Sequence, residues 1–214
     1  MYSLSIFCSM KIVSLAVYKN SELKEFFKCQ YQNNSNEILL TLIKKISGIF
    51  DFAQLSKIFF SRGPGSFTST RAIKSLSQGI CLSIGCKIEA TDNFEIILEL
   101  LKNRSGMFLI FIKVSTYTYS FRLYEISDGK GKPLSLLKFG NIEEFRDFYL
   151  SIKSKCDFRI ISDCQLDENG FRFLKKEKLD IYEIDARNLA LACIHGKANE
   201  KLDILYHHTY YEKS

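Results

Sequence analysis

A chain of 214 residues, 46% hydrophobic and 25% charged, has enough apolar surface to bury a core in one large domain or two small lobes, which excludes a disordered tail. Two prolines, eleven glycines and no tryptophan exclude collagen-like, proline-rich and low-complexity classes, and no uninterrupted apolar run approaches the roughly 18 to 20 residues that a bilayer crossing needs. The formal charge of +6 is carried by scattered lysines, and the densest basic run, Lys175-Lys176-Glu177-Lys178, is broken by a glutamate, so the charge reads as solvated surface and not as a clustered nucleic-acid footprint.

Met1 to Cys8, Lys11 to Tyr18 and Glu22 to Gln30 are short and rich in aromatic or β-branched residues, with turn chemistry at Lys19-Asn20-Ser21; together they predict a three-strand meander. The apolar start Met1 to Val17 lacks a basic n-region and is interrupted by Lys11, so no signal peptide is expected. Ser35 or Asn36 is the expected N-cap of a helix carrying Ile38, Leu39, Leu42, Ile43 and Ile46 at helical spacing, with Gly48 near its stop. A strand Ser56 to Ser61, a glycine-containing loop, a long helix to about Gly85, a strand Cys86 to Ala90 and a helix Asp92 to Leu101 follow.

After the polar stretch Lys102 to Gly106 the pattern restarts. Met107 to Val114, Tyr117 to Ile126 and Leu134 to Phe139 read as strands, the last two separated by the glycine-rich turn Asp128 to Pro133. Ile142 to Lys153 is amphipathic, Phe158 to Ser162 and Leu179 to Ile184 read as strands, and Asp185 caps a helix Ala186 to Lys197. Three strands followed by alternating helices and strands, twice over, is the grammar of a duplicated α/β fold. Two lobes are expected, 1–103 and 104–214.

The seven cysteines are odd in number and include no Cys-x-x-Cys pair, so reduced thiols in a cytoplasmic protein are expected. His195, His207 and His208 read as surface residues, since neighbours in a strand point to opposite faces. Asp163 and Asp167, with Asn169-Gly170 behind them, read as loop caps.

Gly63-Pro64-Gly65-Ser66-Phe67-Thr68 joins an apolar strand to a helix. Its glycines allow a sharp reversal, its proline fixes the turn, and Ser66 or Thr68 is placed to cap the helix. The same pattern admits a structural turn or an anion site at the positive end of the helix dipole; it is neither a Walker loop nor a dinucleotide fingerprint. The helix behind it has no charge between Lys74 and Lys87, so it is expected to be covered all round. Ile73, Leu76, Ile80 and Ile84 form a bulky stripe for the sheet. Ala72, Ser75, Gly79 and Ser83 form a stripe of small residues that lets another helix approach, with Leu40, Ile43 and Ser47 of the first helix beside it. That cover comes either from packing within the chain or from a partner.

Gly63-Pro64-Gly65-Ser66-Phe67-Thr68 together with Arg71 resembles the Gly-Pro-Gly-Ser-Phe-Thr-x-x-Arg signature of the TsaB (YeaZ) family, bacterial proteins of tRNA threonylcarbamoyladenosine modification. The preceding Ser35-Asn36-Glu37-Ile38-Leu39-Leu40 agrees, and the resemblance extends over Glu37 to Leu101. It implies an actin/Hsp70/sugar-kinase-like (ASKHA) duplicated two-lobe α/β fold, each lobe a mixed sheet with flanking helices. It also implies a non-catalytic, cytoplasmic subunit that binds the homologous catalytic protein TsaD through two helices, with TsaE and ATP joining that pair. A homodimer through the same surface is open to the isolated chain, and tRNA is met only through the complex.

No cofactor or metal is expected on this chain alone. Where relatives carry Asp-Thr-Ser at the end of the first strand, this chain has Phe7-Cys8-Ser9, and Ala90 to Glu95 contains no histidine where TsaD carries a metal pair. A phosphotransferase of the same superfamily and a direct tRNA-binding module are the alternative functions, and no membrane association is expected.

Overall fold

The structure, a computed structural model, describes residues 1–31, 34–164, 171–174, 177–198 and 200–205. Lys175, Lys176, Asp167, Asn169, Gly170, His207, His208 and the rest of 206–214 lie outside the described residues.

The meander forms as expected: β1 (Tyr2–Cys8), β2 (Ile12–Lys19) and β3 (Glu22–Gln30). Then come α1 (Ser35–Ser47), β4 (Leu55–Ser61), α2 (Phe67–Ile84), β5 (Lys87–Thr91) and α3 (Asn93–Leu100). β1 pairs antiparallel with β2 and parallel with β4, giving a five-stranded sheet in the order β3-β2-β1-β4-β5. Alternation splits β1 cleanly between its two faces. Leu4, Ile6 and Cys8 join Val13, Leu15, Val17, Ile58 and Phe60 under α1 and α2, where Leu39, Leu42, Ile46, Ile73 and Cys81 complete a buried cluster.

The second sheet repeats the scheme with β6 (Gly106–Lys113), β7 (Tyr119–Ser127), β8 (Lys130–Pro133), β10 (Arg159–Ser162) and β11 (Leu179–Ile181) in the order β11-β10-β6-β7-β8. Read from the other edge, this is third, second and first strand followed by the two parallel additions, the same topology as the first sheet. A short β9 (Lys138–Gly140) also pairs with β7. α4 (Ile142–Lys153) carries a capping box from Asn141 and Glu144, and its Phe145, Tyr149 and Ile152 pack with Phe111, Phe121 and Phe171 in an aromatic core.

Several expected elements differ: the strand expected at Leu179 to Ile184 ends at Ile181, and the helix expected at Ala186 to Lys197 is α-helical only to Ala192. The strand placed at Leu134 to Phe139 is replaced by β8 and β9. Asp128 (φ 52) and Gly129 (φ 72) form a two-residue turn that pairs Ser127 with Lys130 at once, the hairpin that an Asp-Gly pair favours. The cap of α1 is Asn34, in the left-handed region, whose side chain accepts from Glu37 N; neither Ser35 nor Asn36 serves.

The chain divides into two compact units that are not consecutive in sequence. Met1–Ile96 is joined by the segment beginning at Ile184, and Ile97–Glu183 forms the other unit. The division therefore falls inside α3, earlier than the expected 103/104 boundary, and the late segment returns. The cause is α5 (Ala186–Ala192), which packs on the face of β1 and β2 opposite α1 and α2. Small residues meet there: Ser3, Ser5, Ser14 and Ala16 on the strands, and Ala186 and Ala190 on the helix, all buried. Ala186 N donates to Ser14 Oγ at 2.9 Å, and Asp185 caps α5 as expected, accepting from Arg187 N.

Candidate functional site: the signature loop and the face of α1 and α2

The loop between β4 and α2 is held from three sides of its own unit. Ser61, the last residue of β4, accepts from Gly63 N at 3.1 Å and donates to Asn93 Oδ1 at 2.5 Å. Asn93 returns a bond from its side-chain amide to Pro64 O (2.8 Å) and from its backbone to Gly63 O (2.8 Å). Arg62 pairs with Asp92 at 3.2 Å, and Leu205 N donates to Arg62 O at 2.9 Å. Gly63 has φ +92, and a Cβ there would stand 3.2 Å from Gly65 N, so only glycine fits without strain. The Gly63–Pro64 bond is cis.

Gly63 and Pro64 are buried, Gly65 and Ser66 half-buried, and Phe67, Thr68 and Arg71 exposed. The Arg71 guanidinium stacks 3.9 Å from the Phe67 ring centroid. The expected capping is corrected: Ser66 stands at the N-cap position of α2 without a side-chain bond to the helix backbone, because its Oγ is engaged by the Ser69 hydroxyl at 3.0 Å. Thr68 lies inside the helix.

Beside the loop, at the carboxyl end of β1, stands a cluster of uncharged polar groups. Tyr31 Oη donates to Ser9 O at 2.6 Å and lies 3.6 Å from Cys8 Sγ. Ser35 and Ser69 meet at 2.9 Å, tying the starts of α1 and α2 together. Burial pushes the Cys8 thiol up, against the lowering effect of the Ser69, Tyr31 and Ser35 hydroxyls. Burial followed by the neighbouring Cys8 pushes Tyr31 up to about 12. Both groups are neutral near pH 7, so this cluster offers hydroxyl and thiol dipoles and no charge.

The expectation that α2 is covered all round does not hold within the chain. Its buried stripe is Ser69, Thr70, Ile73, Ser77 and Cys81, with Leu76, Ile80 and Ile84 packed beside it on the sheet. Ser75, Gly79 and Ser83 are exposed and Ala72 is half-buried. A Cβ on Gly79 would meet nothing within 4 Å, so among the described residues no helix packs against the stripe at Gly79. On α1, Leu40 (54% exposed) and Ser47 face outward while Ile43 is half-buried.

The residue that the sequence reading missed on this face is Leu82, 86% exposed; its signal was a large apolar residue three positions from Gly79 in a stretch without charge. Ser61 and Asn93, which hold the loop, were missed because their partners lie about thirty residues apart. Elsewhere, His195 is exposed as expected. Asp163 bonds Lys113 N at 3.0 Å, so it ties the ends of β6 and β10 and is not a loop cap.

The cysteine expectation is also corrected. Cys81 and Cys86 are joined in a disulfide across a Cα–Cα distance of 4.7 Å, and the other five cysteines are free. The left-handed Gly85 (φ 72) that ends α2 turns the chain back and brings the pair together, a spacing that a search for Cys-x-x-Cys passes over.

No protein-family model matches the chain. Among curated proteins, the tRNA threonylcarbamoyladenosine biosynthesis protein TsaB of Buchnera aphidicola subsp. Acyrthosiphon pisum is 32% identical over 99 residues, 45% of this chain and 44% of that protein. The chain resembles TsaB. The match spans less than half the length of that TsaB relative, and likeness of fold extends further. A YeaZ from Pseudomonas aeruginosa superposes with a TM-score of 0.64 at 15% identity, covering 96% of this chain and 99% of that one. A protein with similarity to peptidase YeaZ, also from Pseudomonas aeruginosa, gives 0.67 at 15% identity over 96% and 98%. A Bacteroides thetaiotaomicron protein with an actin-like ATPase fold gives 0.54 at 12% identity over 91% and 95%. The duplicated actin-like fold expected for a TsaB-like chain is therefore the fold observed. Among the described residues no helix is long and apolar enough to cross a membrane.

Proposed function

We propose that this chain is a non-catalytic scaffold subunit of the tRNA threonylcarbamoyladenosine machinery, holding a TsaD-type catalytic partner through the outer face of α1 and α2. The observation that carries this reading is the uncharged, small-residue stripe Ala72, Ser75, Gly79 and Ser83, of which the last three stand exposed among the described residues beside exposed Leu40 and Leu82. A helix approaching such a stripe comes close to the backbone and withdraws the two leucines from water. The TsaB resemblance supplies the pathway, and a TsaD homologue is the partner it implies, with TsaE and ATP joining that pair and tRNA reached only through the complex. The neutral Cys8-Tyr31-Ser35-Ser69 cluster supports a chain that leaves phosphoryl chemistry to its partner, in a cytoplasmic setting.

Co-expression with TsaD of the same organism is expected to give a stable heterodimer. Gly79→Glu, which has open space for its side chain, abolishes that heterodimer while the circular dichroism spectrum and thermal midpoint stay unchanged. A complex that survives the charge overturns the interface, and tight binding of magnesium-ATP to the isolated chain in calorimetry overturns the non-catalytic role.

A further inference from the structure

Cys86 is half-buried and packs at the edge of the cluster under α2, while Cys81 is buried in the last turn of the helix, so the pair is more open at Cys86 than at Cys81. The loop they close is short, at a sequence separation of 5, and its turn is already made by the Gly85 N–H to Cys81 O bond at 2.8 Å. A bridge over so short a loop constrains the unfolded chain least among disulfides, so its effect is local order. Five free cysteines remain, two of them, Cys8 and Cys193, buried. A chain built on a structural disulfide framework pairs its cysteines more fully, whereas one half-buried bridge among free thiols is the pattern of a redox-responsive site. Exposed Lys87 lies next to Cys86 and favours the approach of a thiolate.

We infer that Cys81 and Cys86 form a reversible redox site, exchanged by a protein or small-molecule dithiol, that controls the order of the last turn of α2. One thiolate of the dithiol attacks Cys86 Sγ, the sulfur–sulfur bond breaks, and Cys81 leaves as a thiolate that takes up a proton. The second thiol then attacks the mixed disulfide and releases Cys86 as a thiol. Two electrons pass from the dithiol, which becomes a disulfide, to the pair. Inside the loop stand Leu82 and Ser83 of the outer α2 face, so oxidation holds that end of the face in helical register and reduction lets it fray. The consequence for docking rests on the reading proposed above.

Mass spectrometry of the full chain after air oxidation and alkylation, digested at Lys74 and Lys87, is expected to show the 75–87 peptide two hydrogens lighter and unalkylated, and doubly alkylated after dithiothreitol. Hydrogen exchange is expected to quicken severalfold across 81–86 on reduction and to hold steady in β1. The double variant C81S/C86S exchanges like the reduced protein and ignores the reductant. Both thiols alkylated without reductant, or exchange unchanged by reduction, overturns the site. With the TsaD-type partner, binding is expected to weaken roughly tenfold on reduction. Equal binding in both states overturns the control of docking, and no binding in either state overturns the docking reading and its control while the exchange result stands.

Discussion

β4 and β10 occupy the same position in the two copies of the fold, and both end in a serine that performs the same task. Ser61 Oγ accepts from the backbone N–H two residues on, at Gly63 (3.1 Å), and Ser162 Oγ does so from Cys164 (3.2 Å). Beyond that shared device the two ends part. After β4 the chain reverses through Gly63-Pro64-Gly65 into an 18-residue helix and is pinned by the amide of Asn93. After β10 comes Asp163, a carboxyl that burial pushes up to about 6 against the lowering effect of the Lys113 N–H. Cys164 beside it is pushed up to about 12 by burial and by that carboxyl. The first strand end is held by a hydroxyl and an amide with the Arg62–Asp92 pair beside them, the second by the Asp163 carboxyl. A duplicated strand end thus keeps its local hydrogen bond while the residues after it decide whether it launches a long helix or a carboxyl contact.

The largest break comes at the glycine. Gly63→Ala forces a Cβ into φ +92, 3.2 Å from Gly65 N, and is expected to cost roughly 2 to 3 kcal/mol, read as a lowered denaturation midpoint with faster exchange across 62–70.

Substituting the shared serine sharpens the contrast. Ser61→Ala strips a partner from Gly63 N and from the buried Asn93 Oδ1 on a distant segment and should cost about 1 to 3 kcal/mol, whereas Ser162→Ala strips partners only from the backbone N–H and C=O of Cys164, two residues on, and should cost about 1 kcal/mol. Equal losses in chemical denaturation would dissolve the distinction.

The pH slope tests the second strand end by itself. A carboxyl whose folded pKa lies above its ordinary 3.8 binds its proton more tightly when folded. Its contribution to stability is therefore full below about pH 4 and lost as pH rises through about 6. Exchange protection of β6 is expected to fall over that window in the parent chain and to stay flat in Asp163→Asn, which keeps an acceptor for Lys113 N.

Elements whose signals are local were legible. α4 runs over the anticipated Ile142–Lys153, and Asp185 caps α5 because an acidic residue ahead of an alanine-rich segment is a near-neighbour pattern. Of the candidate face, the sequence located the small stripe because a gap in charge can be read along one helix. Leu82 escaped because outward orientation depends on where the sheet lies. Asn93 escaped for a similar reason: its three bonds to the loop join segments about thirty residues apart, and no periodicity marks them.

The amino-acid order alone determined the duplicated strand and helix grammar, the Gly-Pro-Gly reversal and the uncharged run of α2, since each follows from backbone sterics and side-chain spacing within a few residues. Tertiary structure alone decided that α5 returns to the first sheet, that Cys81 meets Cys86, that Asn93 clamps the loop and that Gly79 faces open space. Those outcomes depend on which surfaces meet once the sheet has twisted and the helices have settled on it, and distance along the chain carries no record of that.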